Sequence, residues 1–138
     1  MVPHLRSLDG NQLNRLSLIT ENLARKVDAI YIPTDPILLA KENLVRVLNT
    51  CSRFKVPIIA VDDASVELGA LMALHCDFRE IGKQAAPMAV RILKGTKPKD
   101  VPSEIPLSHR LTVNLRTAKQ LGITVNPHFL SLTRRVVE

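Results

Sequence analysis

The chain has 138 residues, 46% of which are hydrophobic, and a formal net charge of +6. This length and apolar content are sufficient for one globular domain with a hydrophobic core. The basic residues are scattered and only 3% of the residues are aromatic, whereas nucleic-acid surfaces combine a basic patch with stacking aromatic side chains. We therefore expect no nucleic-acid partner.

No targeting or membrane-spanning segment is evident in the sequence. Residues 1–14 lack the apolar core of a secretory signal peptide. No apolar run approaches the roughly twenty residues that a spanning helix needs. As written, the chain is expected to be cytoplasmic or to be a fragment of an exported protein.

The first half of the chain alternates helical and strand patterns. Apolar residues spaced by three and four predict a helix over about 11–26, and a short strand follows at Asp28–Ile32. Asp35 and Pro36 favour the start of a second helix, as its N-cap and first helical residue. A buried strand is predicted at Val56–Val61. Strand, helix and strand in this order predict a parallel βαβ unit.

The second half of the chain has shorter elements. Ser65 is predicted to cap a short helix, and Leu71–Leu74 to form a third strand. A helical stripe covers Arg79–Leu93, and Pro87 within it predicts a kink or a late helix start because it removes a backbone hydrogen bond. The remaining predicted elements are an extended connector over 96–106, a strand at Leu111–Val113, a short helix capped by Asn114, and an irregular or partly helical tail from Ile123.

Four further side chains are predicted to be buried. Cys51 and Cys76 are too far apart for a CxxC motif and adjoin apolar runs, so both are predicted to be buried free thiols. Tyr31 lies within a predicted strand and Phe78 follows an acidic residue. Core packing is predicted for both aromatic side chains, with contact to an apolar ligand as the alternative.

Polar residues follow the first two predicted strands. Thr34 and Asp35 follow the first strand, and Asp62 and Asp63 follow the second. Parallel α/β sheets bind ligands beyond the carboxyl ends of their strands, so a small molecule is expected there. A carboxylate suits a ligand ammonium, and the hydroxyls of Thr34 and Ser65 can donate and accept hydrogen bonds. The alternative is local chemistry, in which these residues are helix caps and a solvated turn.

The sequence gives little support for catalysis. It contains no GxSxG elbow, HExxH motif or phosphate-binding loop. Asp62 and Asp63 are adjacent and, on a strand, would face opposite ways, which argues against an acid–base pair. His75 has only Asp77 at ligand spacing, so a structural role is predicted. We expect no enzymatic activity, no cofactor and no metal.

The order and spacing of these segments resemble those of the ABC-transporter substrate-binding protein family, of the type associated with aromatic amino acids such as tryptophan. The resemblance extends from about Asn11 to the C-terminus. The segments that carry it are Val27–Asp35, Val56–Asp62, Gly69–Leu71, Asp77–Phe78, Gly82, Ile92–Gly95, Pro98, Val113–Leu115, Ala118 and Leu121–Ile123.

The resemblance implies an α/β lobe of a type I periplasmic-binding-protein fold, in which two lobes close on a ligand. The chain matches the C-terminal lobe only. We expect a single domain over 1–138, with a βαβ ligand-binding-type lobe at 11–95 and a connector, closing strand and helix at 96–138. In such proteins Leu111–Gly122 would pack on the N-terminal lobe. Without that lobe, the segment is expected either to be covered by a second copy of the chain, in the homodimer that we favour, or to fold back on the chain's own core.

The implied function is binding of an amino acid or a similar small solute, in a truncated or degenerate form of the family. By resemblance, the ligand-side positions are Thr34, Asp35 and Asp62, and Ser65 is added from its position at a helix start. Family members are periplasmic or extracytoplasmic, so an ABC permease is an implied partner if the chain is exported. The alternative is an intracellular sensing or interaction domain that forms a homodimer without transporting a solute.

Overall fold

Helices and strands alternate through the chain, as the sequence predicts. The computed structural model describes residues 10–138. The first six elements are α1 (Gly10–Ala24), β1 (Ile30–Tyr31), α2 (Lys41–Arg53), β2 (Ile58–Ala60), α3 (Asp63–Glu67) and β3 (Met72–Cys76). After these come α4 (Phe78–Leu93), a 3₁₀ turn (Pro98–Asp100), β4 (His109–Asn114), α5 (Leu115–Leu121), α6 (Pro127–Ser131) and β5 (Arg135–Val137).

The strands form one sheet in the order β1-β2-β3-β4-β5. β1 and β2, β2 and β3, and β4 and β5 are parallel neighbours. The N–H of Asn114 donates to the carbonyl of Leu71 at 2.9 Å, and the N–H of Asp77 donates to the carbonyl of Ser108 at 3.2 Å. These bonds join the end of each strand to the start of the other, so β3 and β4 run antiparallel. The carboxyl ends of β1, β2 and β3 therefore share one edge.

The core lies on one face of this sheet. The apolar stripe of α2 is buried at the predicted helical spacing, and Ile58 and Ala60 alternate with the half-buried Ile59 along β2. Burial of an aliphatic side chain of this size contributes roughly 1.5–3 kcal/mol. The core residues are Ala24, Ile32, Leu44, Val47, Leu48, Cys51, Val56, Ile58, Ala60, Val66, Ala70 and Ala73.

Helix α2 starts later than predicted. Asp35 caps a turn over 36–39 instead of the helix: its Oδ1 accepts hydrogen bonds from the N–H groups of Ile37 and Leu38, both at 2.9 Å. Ala40 then takes an extended conformation with φ −57° and ψ 128°, which separates this turn from the helix that begins at Lys41. The predicted N-cap is therefore a turn cap.

The predicted start of α3 is also wrong. The side chain of Asp62 accepts a hydrogen bond from the N–H of Ser65, so the cap is Asp62 and Ser65 lies inside the helix. Either residue type favours an N-cap. Sequence alone did not distinguish between the two positions, which are three residues apart.

Helix α4 is continuous through Pro87, so the predicted late start is wrong. Asp77 fixes the start: its Oδ1 accepts hydrogen bonds from the N–H of Arg79 at 3.0 Å and the N–H of Glu80 at 3.4 Å. The final strand β5 was not predicted. It is a three-residue strand, too short to show the alternating pattern by which strands are recognised.

The chain divides into two compact units. One contains the described residues up to Leu74 together with Leu111–Glu138, and the other is His75–Arg110. The single domain over 1–138, with a ligand-binding-type lobe at 11–95 and a connector, closing strand and helix at 96–138, stays a prediction.

The Leu111–Gly122 segment does not lack a packing partner in the structure. It belongs to the first unit, where Val113 and Ala118 are 1% and 2% exposed. Asn114 caps α5 as predicted, and Gly122 ends that helix with a φ of +76°, a left-handed conformation that glycine adopts without strain. The structure therefore agrees with the alternative in which this segment folds back on the chain's own core.

Two of the four predicted burials are clearly wrong. Cys51 is buried as predicted, and burial raises the pKa of its thiol to about 11. Cys76 is only partly buried. Tyr31 is 62% exposed because Ile30 and Ile32 take the inward positions of β1, which directs Tyr31 to the opposite face. Phe78 is 78% exposed because it begins α4, none of whose side chains is buried.

Asn114 provides a stability test of this packing. Its buried side chain accepts from the N–H of Thr117 at 3.0 Å and donates to the carbonyl of Val66 at 2.8 Å. We expect Asn114→Ala to lower the free energy of unfolding by about 2–4 kcal/mol, from the lost cap and the unsatisfied carbonyl. Urea unfolding followed by circular dichroism measures this change.

Asn126→Ala is the matched control for that experiment. Asn126 caps α6 through the N–H of His128 at 2.8 Å, but it is exposed. Its replacement should cost only about 0.5–1 kcal/mol. Equal losses in the two variants would contradict the buried role of Asn114.

Candidate functional site

The register of β1 and β2 brings two loops to one edge of the sheet. Tyr31 pairs with Ile59, and the N–H of Ile32 donates to the carbonyl of Ile59 at 2.9 Å. Thr34 lies three residues after Tyr31, and Asp62 lies three residues after Ile59. The two polar residues therefore leave the sheet at aligned positions, as the sequence predicts for a parallel βαβ unit.

Both candidate carboxylates at this edge are oriented by backbone donors. Asp35 is half-buried and binds two N–H groups through Oδ1. Asp62 is also half-buried, and its Oδ1 accepts from the N–H of Ser65 at 2.7 Å. A carboxylate has a second oxygen and about four acceptor sites in all, so these caps do not exhaust its capacity. The capping alternative is therefore realised and is compatible with a ligand.

The two candidate hydroxyls differ in accessibility. Thr34 is exposed, in the bend after β1. Ser65 is 1% exposed inside α3, and its backbone N–H serves Asp62. A hydroxyl at that depth does not meet a solute at the surface, so the proposal below rests on Thr34, Asp35 and Asp62.

Asp63 is held by strands further along the sheet. The hydroxyl of Thr112 in β4 donates to its Oδ1 at 2.5 Å. Arg135 in β5 places one guanidinium nitrogen 3.8 Å from the Asp63 Oδ2 and another 2.5 Å from the Oε1 of Glu67. Thr112 is 49 residues from Asp63 in the sequence, and Arg135 is 68 residues from Glu67. The sequence-based interpretation of Asp63 as part of a solvated turn missed them.

His75 lies beside the backbone of its own strand. Its Nδ1 is 3.0 Å from the carbonyl oxygen of Cys76, and the side chain is half-buried. Across residues 10–138, no group of three or more His, Cys, Asp or Glu side chains is arranged to hold a metal ion. In the same range, no helix is both long enough and apolar enough to cross a membrane.

Two small cavities of the first unit lie away from the candidate edge. One, of about 80 Å³, is lined in part by Leu48, Ile58 and Thr117. The other, of about 270 Å³, is mostly apolar and includes Val113 and Phe129. Neither is lined by the three candidate ligand residues.

The order of elements has counterparts in known proteins. The family model of ABC transporter substrate binding proteins matches residues 4–137. The chain belongs to this family. Membership confirms the resemblance noted from the sequence, and members of this family are extracytoplasmic substrate-binding proteins.

Several relatives are similar over most of this chain. A tyrosine-binding protein of Clostridioides difficile is 30% identical over 102 residues, which are 74% of this chain and 29% of that protein. A structure of an ABC domain in complex with L-Trp from Streptococcus pneumonia has a TM-score of 0.73 and 29% identity, and the match covers 91% of this chain and 42% of that one.

The ligand-free, open structure of a substrate binding protein with adhesive properties from Clostridium difficile has a TM-score of 0.74 and 26% identity, and the match covers 91% of this chain and 41% of that one. The present chain therefore spans less than half the length of these relatives. The structural matches confirm the predicted α/β fold with a mostly parallel sheet. They give no support to the alternative of a sensing domain.

Proposed function

We propose that this chain binds an amino acid or a similar small solute, and releases it unchanged, at the edge formed by Thr34, Asp35 and Asp62. The observation that carries the proposal is the in-register pairing of β1 and β2, which aligns the loops that hold these residues. Family membership supports it. So do the relatives, of which one is a tyrosine-binding protein and another was crystallised with L-Trp.

The chemistry of the edge suits a free amino acid. The ammonium of the solute has three N–H donors, and the carboxylates of Asp35 and Asp62 accept such bonds with about twice the strength of neutral ones. The hydroxyl of Thr34 can donate to the carboxylate of the solute. Because backbone bonds already orient both Asp side chains, little rotamer entropy is lost on binding.

Contact with a single lobe sets the expected affinity. One sheet edge contacts only one side of a solute, and two or three charge-assisted bonds must offset the cost of association. We expect a dissociation constant in about the millimolar range for this chain alone, corresponding to about −4 kcal/mol. Since the family works with ABC permeases, we propose that a permease receives the solute.

Asp62→Asn tests the solute site. Asparagine is an equally good N-cap, so the variant should keep α3 while it loses the negative charge. We expect its affinity for L-tryptophan to fall about tenfold, which corresponds to about 1.4 kcal/mol. Ligand-observed NMR titration measures the affinity of the unmodified chain and of the variant. Indole-3-propionate, which lacks the ammonium, should bind the two proteins equally.

Asp28→Asn is the charge-matched control. Asp28 is exposed and precedes β1, at the other end of that strand. The affinity of the Asp28→Asn variant for L-tryptophan should equal that of the unmodified chain. No saturable binding to the unmodified chain, or equal losses in the two variants, would refute the proposed site.

We further propose that the chain forms a homodimer through the face of the sheet opposite the core. Register places Tyr31, Ile59 and Met72 in one row on this face, and Val113 and Val136 in a second pair. Met72 and Val113 line the same cavity, which joins the row across the sheet. Every strand thus contributes an apolar side chain to a single face.

This face is exposed towards both edges of the sheet. Tyr31 is 62% exposed and Val136 is 40% exposed. Leu74, two residues after Met72 and so on the same face, is 56% exposed. Exposed apolar surface in water tends to be covered by association. In a purified sample, the available partner is a second copy.

Sedimentation velocity at micromolar concentration tests the homodimer. We expect the unmodified chain to sediment as a dimer and Tyr31→Asp to sediment as a monomer, because a charge at this face must be desolvated on association. Leu93→Asp, at a residue 85% exposed in the other unit, is the control and should remain dimeric. A monomeric unmodified chain would contradict the homodimer, and dissociation by Leu93→Asp alone would contradict this choice of face.

A further inference from the structure

Helix α3 carries two carboxylates that one cation bridges. Asp63 is the first residue of the helix and Glu67 the last, four positions later. Carboxylates at this spacing lie on the same side of a helix and destabilise it. The guanidinium of Arg135 lies between them, 3.8 Å from Asp63 and 2.5 Å from Glu67.

The position of Arg135 is fixed by the sheet. Arg135 begins β5 and is paired in register with Thr112 of β4. Residues paired in this way project from the same face of a sheet. The hydroxyl of Thr112 and the guanidinium of Arg135 both reach Asp63, one at each carboxylate oxygen. Asp63 is therefore held from two adjacent strands.

Such support matters because α3 has only five residues. An isolated helix of that length is unstable in water and depends on tertiary contacts. The orientation of Asp62 depends on the first turn of this helix, since the N–H of Ser65 donates to its carboxylate. If α3 frays, Asp62 loses the donor that orients it.

We propose that Arg135 is a positioning residue for the solute site. By bridging Asp63 and Glu67 it holds α3 folded, and the folded helix fixes the carboxylate of Asp62 towards the ammonium of the solute. The inference rests on the solute site proposed above. It adds that a residue of the last strand, outside that site, sets the affinity for ligands that carry an ammonium group.

The test compares Arg135→Gln with Arg134→Gln. Arg134 is an exposed neighbour whose replacement is chemically identical. We expect Arg135→Gln to weaken binding of L-tryptophan roughly threefold to tenfold, as for coupled neighbouring groups. Binding of indole-3-propionate should not change, and Arg134→Gln should behave as the unmodified chain.

A second substitution distinguishes positioning from general destabilisation. Glu67→Gln removes one carboxylate of the like-charge pair, so the double variant Arg135→Gln/Glu67→Gln should recover affinity for L-tryptophan. Hydrogen exchange of the Ser65 and Val66 amides should accelerate in Arg135→Gln and slow again in the double variant. A general loss of the β5 strand would not be rescued by a change at Glu67.

Each outcome decides the inference. Weaker L-tryptophan binding that the double variant rescues supports it. Unchanged L-tryptophan binding by Arg135→Gln overturns it, because the loss of Arg135 would then have no effect on the site. Tighter binding also overturns it, because the loss of a positive charge would then control the affinity. If the unmodified chain does not bind L-tryptophan, the solute site itself fails and the positioning role falls with it, whereas the exchange data still show whether Arg135 holds α3.

Discussion

The parallel pairing of β1 with β2 is the constraint on which the candidate site depends. β1 has two residues and β2 has three, so few hydrogen bonds fix their alignment. Burial of Ile58 and Ala60 supplies the rest, because a slip of one residue would turn both to the opposite face. The same register sets where the chain leaves the sheet, and so aligns Thr34 with Asp62. The register that buries the core residues is therefore also the register that aligns the residues of the candidate site.

The carboxylates that cap local backbone in this fold are also the ones that we propose to bind the solute. Asp35 and Asp62 each bind backbone N–H groups, which hold the side chains in place before a solute arrives. Adjacent Asp63 has a different role, since Thr112 and Arg135 engage both its oxygens. Of the two adjacent carboxylates, Asp62 is therefore the one that we propose to bind the ammonium of the solute.

Sequence patterns predicted the parts of the fold that depend on neighbours along the chain. The buried stripe of α2 follows from its apolar spacing, and the Asn114 cap of α5 follows from a preference at helix starts. The support of Asp63 could not be predicted, because Thr112 and Arg135 come from strands that meet it only in the folded sheet. Nor does the sequence say which face of β1 is covered, which is why Tyr31 was placed in the core.

The chain spans less than half the length of the relatives that it matches. The measurement that most directly locates the solute is a two-dimensional ¹H–¹⁵N NMR spectrum of the chain recorded with and without L-tryptophan. The account predicts shifted amide signals for residues 34–35 and 62–65, at the shared edge of β1 and β2. Shifts confined to residues 123–129, beside the apolar cavity, would contradict it.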